Sequence, residues 1–452
     1  MKKKQGLFIL VWIFLISNVG IGQSSILDNY IKEALANNLS IKGEQLQRNK
    51  QLIKIAQAGK NWMPSVDGSA NYLFSEGGRT IVFPVGDLFN PVYGTLNQLT
   101  QSTQFPADLQ NENIALTPND YLDAQVKITQ PIINSTIKYN KLIQQELLKL
   151  NDVNIQIQEK EVVFQTRTAY YNYLKTIEGF KILEETGDLL NDLLVINQKL
   201  VKYDKATGEV ISDIEYQLAN LESERAQLVA QQSIAKTYFN ILLNRDIDID
   251  IAVETEMLSD FTVQQLQLNT LIDQAKRNRL EFQKIQVADN VVELNKERID
   301  KEKLPTLGVT GAVGIQTEGF DFDTGGPIYT LGFGMAVNLF DGGRRKKRIE
   351  EIHVDQNILY NNRAQLQQQI QIEVSQIYFA LQSLSSKLAA EQAASRSARK
   401  SYTIIKSKYE NEKAILLEVT NAQNQLVTSN LRQVLTKYDY LIKLAELEKA
   451  IQ

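Results

Sequence analysis

Apolar residues along this chain keep two rhythms. Over long stretches they recur every three or four residues, as on one stripe of a helix; over four short stretches they alternate with polar residues, as on one face of a strand. The long rhythm runs from about Ile133 to Tyr203, from Val210 to Leu243, from Gly343 to a break near Asn411-Glu412-Lys413, and back through Val427, Leu431, Val434, Tyr438, Leu441 and Ala445. In the third run Ile349, Ile352, Gln356, Leu359, Arg363, Leu366 and Ile370 hold alternating spacings of three and four. Val374, Ile377, Leu381, Leu384 and Leu388 resume them after one stutter, which is a coiled-coil seam. At about 1.5 Å per residue the longest helices reach roughly 100 Å.

The short rhythm predicts four strands, at about 64–76, 120–131, 305–316 and 328–340. Their apolar positions are Val66, Gly68, Ala70, Tyr72 and Phe74; Leu122, Ala124, Val126 and Ile128; Leu307, Val309, Gly311, Val313 and Ile315; and Tyr329, Leu331, Phe333, Met335, Val337 and Leu339. The intervening residues are polar or tiny, among them Asp67, Lys127, Thr310 and Gly332. Each strand therefore has one apolar and one polar face.

The strands come in two sets because the chain is duplicated. Ala34, Asn37, Leu39 and Pro64 recur as Ala275, Asn278, Leu280 and Pro305 at one constant offset of 241. Two copies of one unit follow, residues 23–262 and 263–452. In each, a helix of about thirty residues runs into the proline, which cannot continue it and biases the preceding residue to extended backbone. Residues 75–121, rich in Asn, Gln, Thr, Gly and Pro, are expected as a long loop whose counterpart near 317–328 is short. The segment 244–266, with Ile247, Ile249 and Ile251 alternating, is expected as an irregular band.

The first residues, MKKKQGLFILVWIFLISNVGIG, place three lysines before an apolar stretch and then small residues, so 1–22 are expected to be an export signal cleaved after Gly22. Loss of Lys2, Lys3 and Lys4 would move the formal charge from −4 to −7, which argues against nucleic acid as a partner. There is no cysteine, hence no disulfide, thiolate metal site or acylated thiol. Beyond residue 22 no run approaches the length of a transmembrane helix, so a membrane-inserted chain would have to use a β-barrel. The alternation alone also fits a soluble sheet with one wet face; the export signal and strand length favour lipid on one side and water on the other. Four strands cannot close a barrel, and an open sheet in lipid would leave unpaired backbone edges, so closure must come from further copies of the chain.

Catalytic chemistry is not legible. The one histidine, His353, falls at the start of a long helix; Asp246, Asp248 and Asp250 lack the glycine and distal glutamate of a calcium loop. No nucleophile–base pair or phosphate loop is found, and no cofactor is implied. The run Arg344-Arg345-Lys346-Lys347-Arg348 is best placed beside phospholipid phosphates.

Taken in order, the Ala-Leu-x-x-Asn opening, Pro64-Ser65-Val66, Thr129-Gln130-Pro131, the segment KYDKATGEVISDI, Pro305-Thr306-Leu307, Asn338-Leu339-Phe340-Asp341-Gly342-Gly343 and KYENEKAILLEVTNAQNQL resemble the TolC-like outer membrane efflux proteins. The resemblance covers essentially all of the chain after residue 22. It implies a mainly α chain with a transmembrane β portion: a homotrimer whose twelve-stranded barrel, four strands per chain, continues into a periplasmic α-helical tunnel. It implies an outer membrane location, a periplasmic adaptor and an inner membrane transporter as partners, and efflux or type I secretion as the function. Pro64, Pro131, Pro305, Gly342 and Gly343 would be helix-to-barrel junctions, and Val126, Val309 and Phe333 would face lipid. The periplasmic entrance would involve Asp213, Tyr409, Glu418 and Asn421. There the chain departs from the family pattern: Glu412 stands where a glycine is usual, Ala414 where a basic residue is, and only Glu418 remains of an acidic pair, with Asn421 at the second position. Asp213 aligns with Glu418 if the first turn holds one extra residue. A periplasmic coiled-coil scaffold and a secreted enzyme with helical stalks are the alternatives.

Overall fold

The computed structural model describes residues 25–116, 120–253, 266–323 and 326–452; the expected export signal and residues 254–265 of the expected band lie outside them. In chain order the elements are α1 (Ser25–Asn37), α2 (Leu39–Lys60), β1 (Ser65–Phe74), β2 (Thr80–Phe83), α3 (Val85–Thr100), β3 (Glu112–Ala115), β4 (Asp120–Ile133), α4 (Ser135–Lys202), α5 (Glu209–Leu242), α6 (Leu268–Asn278), α7 (Leu280–Lys301), β5 (Thr306–Glu318), β6 (Gly326–Ala336), α8 (Arg344–Glu410) and α9 (Leu416–Ile451). Helices α2 and α7, like strands β1 and β5, begin 241 residues apart. Among the described residues no helix is long and apolar enough to cross a membrane.

Two compact units divide these elements. The first gathers the chain up to Gln51, Leu147–Asp289 and Gln356–Gln452; the second gathers Leu52–Glu146 and Asn290–Asp355.

In the first unit the later part of the coiled-coil seam is buried, where Ile370, Val374, Ile377 and Leu381 of α8 pack with Leu271, Ile272 and Ala275 of α6 and Leu444 and Leu447 of α9, while Arg363 earlier in it is exposed. A second cluster joins Leu27, Tyr30 and Ala34 of α1, Tyr170 and Leu174 of α4 and Phe239 of α5 with Tyr438 and Leu441 of α9. Tyr30 meets Phe239 edge-on, with ring centroids 5.0 Å apart. The expected helix of thirty residues is broken in both copies, after Asn37 and after Asn278. At the first break the Asn38 carboxamide oxygen accepts from the N–H groups of Ser40 (2.9 Å) and Ile41 (3.4 Å), as an N-cap does, while its Nδ2 donates to the Leu242 carbonyl at the end of α5 (3.0 Å). At the second, Asn278 Nδ2 donates to Ile451 O (3.2 Å) and Arg279 to Ala450 O (3.3 Å) at the end of α9. Each break thus satisfies the terminal carbonyls of its copy's returning helix, groups a helix leaves without partners. The periodicity runs through both breaks because Ala34 and Ile41 are buried on either side of Asn38.

The expected band is not a strand where it is described. Asn240, fully buried, donates to the carbonyls of Ile247 and Ile249 at 2.8 Å each, and the Ala252 N–H donates to Tyr30 Oη at 2.8 Å. Side chain–backbone bonds thus take the place of a ladder.

The second unit holds a four-stranded sheet in the order β1-β4-β5-β6, every pair antiparallel. The copies meet through β4 and β5. Most strand boundaries fall within two residues of expectation, and three features differ further. The fourth strand ends at Ala336, so Val337 and Leu339 leave the ladder. Strand β4 runs past Pro131 to Ile133 with a register shift between them; Pro131 has no N–H to donate, and a bulge accommodates it. The expected loop 75–121 contains β2, α3 and β3, with β2 and β3 paired antiparallel. Asn90 and Asn97 anchor α3 by accepting from the N–H groups of Leu109 (2.8 Å) and Phe105 (3.0 Å) and donating to the same residues' carbonyls.

Candidate functional site

Strand register decides which side chains share a face. Val309 lies opposite Phe333 on β6 and Gln130 on β4, and Val126 lies opposite Val313 on β5 and Gly68 on β1. Because side chains alternate, these pairings bring the apolar positions of all four strands onto one face, from Val66 and Tyr72 across to Leu331 and Met335. Phe333 is 78% exposed and Val126 45%; Val309 is half-buried. The opposite face carries Asp67 across from Lys127, Ser69 across from Gln125, and Thr310 between Thr129 and Gly332. Strands β1 and β6 are the sheet's edges.

Of the expected junction residues, Pro64 and Pro305 behave alike in the two copies, whereas Pro131 lies inside β4 and Gly342 and Gly343 form a turn. Pro64 and Pro305 each occupy the position before their strand, and the preceding turns close with Met63 N–H to Lys60 O (2.8 Å) and Leu304 N–H to Lys301 O (3.0 Å). Gly342 and Gly343 have φ of 65° and 82°, a left-handed turn that glycine adopts without Cβ strain. It lets the Asp341 carboxylate cap α8, accepting from Gly343 N–H and Arg345 N–H at 2.9 Å each. Those backbone donors, first that of Arg345, hold the Asp341 pKa below the usual carboxylate range.

The turns between the long helices lie in the first unit. Both α4 and α8 end in a Schellman motif: Lys205 N–H to Leu200 O (2.8 Å) with Asp204 N–H to Val201 O (3.1 Å), and Lys413 N–H to Lys408 O (2.8 Å) with Glu412 N–H to Tyr409 O (2.9 Å). The left-handed residue is Asp204 in one (φ 55°) and Glu412 in the other (φ 60°). Glu412 therefore holds a glycine's conformation without being one, and its carboxylate pairs with Lys205 of the other turn.

The residues expected at the entrance separate into three environments. Tyr409 is buried among Leu193, Ile214 and Val419, with its hydroxyl on Asn197 Oδ1; burial pushes its pKa up and the Asn197 bond pulls it back. Glu418 is exposed and accepts from Ile415 N–H at 3.1 Å, half of a capping box. Asp213 and Asn421 are exposed and line one polar groove of about 690 Å³ with Tyr216, Asn424 and Gln423. Gln423 is 1% exposed, and its Oε1 has no partner among the described residues. Asn197 and the Lys205–Glu412 pair were not legible in the sequence, since both depend on which turns the fold brings together.

Asp250 pairs with Lys236 at 2.7 Å, and that bond holds its carboxyl low. Among the described residues no group of three or more His, Asp or Glu could hold a metal ion.

With the duplicated helices, the two-faced sheet and the paired turns defined, the chain can be set beside known proteins. Residues 271–451 match the family model of the outer membrane efflux proteins. Over almost its whole length the chain also has the fold of solved outer membrane channels. CusC, a transmembrane channel, matches with a TM-score of 0.71 at 13% identity, covering 95% of this chain and 92% of that one. The MtrE outer membrane channel of Neisseria gonorrhoeae matches at 0.69 and 13%, covering 94% and 88%, and the outer membrane protein VceC of Vibrio cholerae at 0.66 and 14%, covering 94% and 95%. No curated protein matches the sequence. The matched residues take in most of α6 and all of α7, β5, β6, α8 and α9, and the first copy runs in the same order with β2, α3 and β3 added.

Proposed function

We propose that three chains close a twelve-stranded barrel in the outer membrane, with the long helices forming a periplasmic tunnel, and that the assembly passively conducts substrates delivered by a periplasmic adaptor and an inner membrane pump. The observation that carries this reading is the sheet: four strands, two unpaired edges and one apolar face. Edges cannot stand bare in lipid. With four antiparallel strands, β6 of one chain runs opposite to β1 of the next, so copies join in the same antiparallel sense and three give twelve strands. Val126, Val309 and Phe333 then face lipid; Pro64, Pro131, Pro305, Gly342 and Gly343 turn the chain between barrel and tunnel. Residues 1–22 supply export, and 23–262 and 263–452 are the two repeated units. Asp213 and Glu418, with Asn421 beside them and Tyr409 fixing the turn, give the entrance its negative charge.

Purified full-length protein added to planar bilayers tests this. Stepwise conductance increments are expected. Protein that leaves membranes without detergent and shows no conductance would instead be a periplasmic coiled-coil scaffold.

A further inference from the structure

Helices α4 and α8 open the two copies' long hairpins, yet only one opens on cations. Helix α4 begins Ser135-Thr136-Ile137-Lys138, capped by Asn134 Oδ1 accepting from Ile137 N–H at 3.3 Å. Helix α8 begins Arg344-Arg345-Lys346-Lys347-Arg348. The fold therefore does not require the basic run. Cations in a first turn also oppose the helix dipole, so five together weaken the start of α8 unless anions offset them.

Internal anions offset three of the five. Arg348 grips Glu302 through two bonds of 2.6 and 3.0 Å, Lys347 pairs with Glu350 at 2.7 Å, and Arg345 lies 3.7 Å from Asp341. Arg344 donates to the Asp341 carbonyl at 3.0 Å and adds to the field on the Asp341 carboxylate, Lys346 adds to the field on Glu350, and among the described residues neither forms an ion pair. The backbone donors of this turn are already taken by Asp341, so an outside anion would be held by side chains. Just before the run, Leu339 and Phe340 are 88% and 86% exposed, and Met63, at the turn before β1, is 61% exposed. A soluble anion needs no such apolar surface; a lipid does, because its phosphate and its acyl chains are one molecule.

We propose that Arg344 and Lys346 hold the headgroup phosphate of an anionic phospholipid whose acyl chains lie on Leu339 and Phe340. The site rests on the membrane placement proposed above, and would fix the height of each chain at the water–lipid boundary.

Native mass spectrometry of the full-length protein with phosphatidylglycerol or phosphatidylcholine reads this directly, as lipid adducts per chain. Each surface cation contributes about fivefold in affinity, so phosphatidylglycerol should be favoured by roughly 30-fold. Lys346→Gln should reduce the preference about fivefold, and Arg344→Gln with Lys346→Gln should bring the two lipids to near parity. Leu339→Asn with Phe340→Asn should lower retention of both lipids while keeping the preference. Equal adducts on the unsubstituted chain, an unchanged preference in the double variant, or displacement of lipid by inorganic phosphate would overturn the assignment. The same spectra report the oligomer mass, so a trimer without lipid preference sinks this inference alone, and a lipid-selective monomer sinks the trimeric channel alone.

Discussion

Arginine substituted along β5 should be tolerated or not according to face and depth. The strand spans Thr306–Glu318, so Ala312 is its midpoint and Val313 the nearest apolar-face position that carries a side chain. At a rise of about 3.3 Å per residue and a tilt near 40°, each residue climbs roughly 2.5 Å along the membrane normal. Val309 then lies about 8 Å from the midpoint, inside an apolar band about 25 Å tall. Arginine on the lipid face costs roughly 2–4 kcal/mol at the midplane and less toward the interfaces. In the proposed trimer, three copies raise the Val313→Arg cost to roughly 6–12 kcal/mol, comparable with the stability of an ordinary domain. Thr310→Arg on the other face has Thr129 and Gly332 opposite, with Lys127 its diagonal neighbour and Asp67 paired across from that lysine. The assay is the fraction of protein folded into liposomes, read by heat-modifiable migration. The expected loss is largest for Val313→Arg, intermediate for Val309→Arg and smallest for Thr310→Arg. Equal losses, or Thr310→Arg the worst, would refute the assignment of faces.

Asp213→Asn with Glu418→Gln removes charge from the entrance while keeping the acceptor that caps α9; cation selectivity in planar bilayers should fall, and an unchanged reversal potential would place both carboxylates outside the conduction path. Glu412→Gly relieves a left-handed non-glycine residue, worth about 1–2 kcal/mol, and gives up an exposed ion pair worth about 0–1, so the melting temperature should rise slightly; a clear fall would mean that the Lys205 pair matters more than the backbone. Burial pushes the hydroxyls of Tyr171 and Tyr402 up to about 12, above the unfolded value of about 10, so the stability contributed by their neutral forms is intact below about pH 10 and drains away toward about pH 12. Thermal melts should fall across that window, and a flat profile would contradict the burial of these tyrosines.

Much of this architecture was legible because two periods repeat at one offset. The apolar faces of all four strands could be read from alternation, and register then placed them together. What alternation cannot show is which strands are neighbours: β4 pairs with β5 across the boundary between the copies, a choice made by tertiary packing. The breaks at Asn38 and Arg279 were hidden because buried Ala34 and Ile41 keep helical spacing across a local cap. Helix α3 was missed although Val85, Leu88, Phe89, Val92, Leu96 and Leu99 carry its periodicity, since Gly86, Pro91 and Gly94 interrupt it with turn residues. At the turns the departure at Glu412 was visible, but its left-handed backbone and its partner Lys205 were not, because both belong to the folded chain.

The claim on which everything else depends is that other copies close the sheet. Within one chain β1 and β6 are separated by β4 and β5, about 14 Å apart at three strand spacings, far beyond the reach of a disulfide. The natural chain has no cysteine, so Ser69→Cys on β1 can be combined in turn with Thr330→Cys, Gly332→Cys or Gly334→Cys on the same face of β6, and oxidised in native membranes. Covalent dimers and trimers in at least one of these registers are predicted; monomers alone in all three would contradict the account.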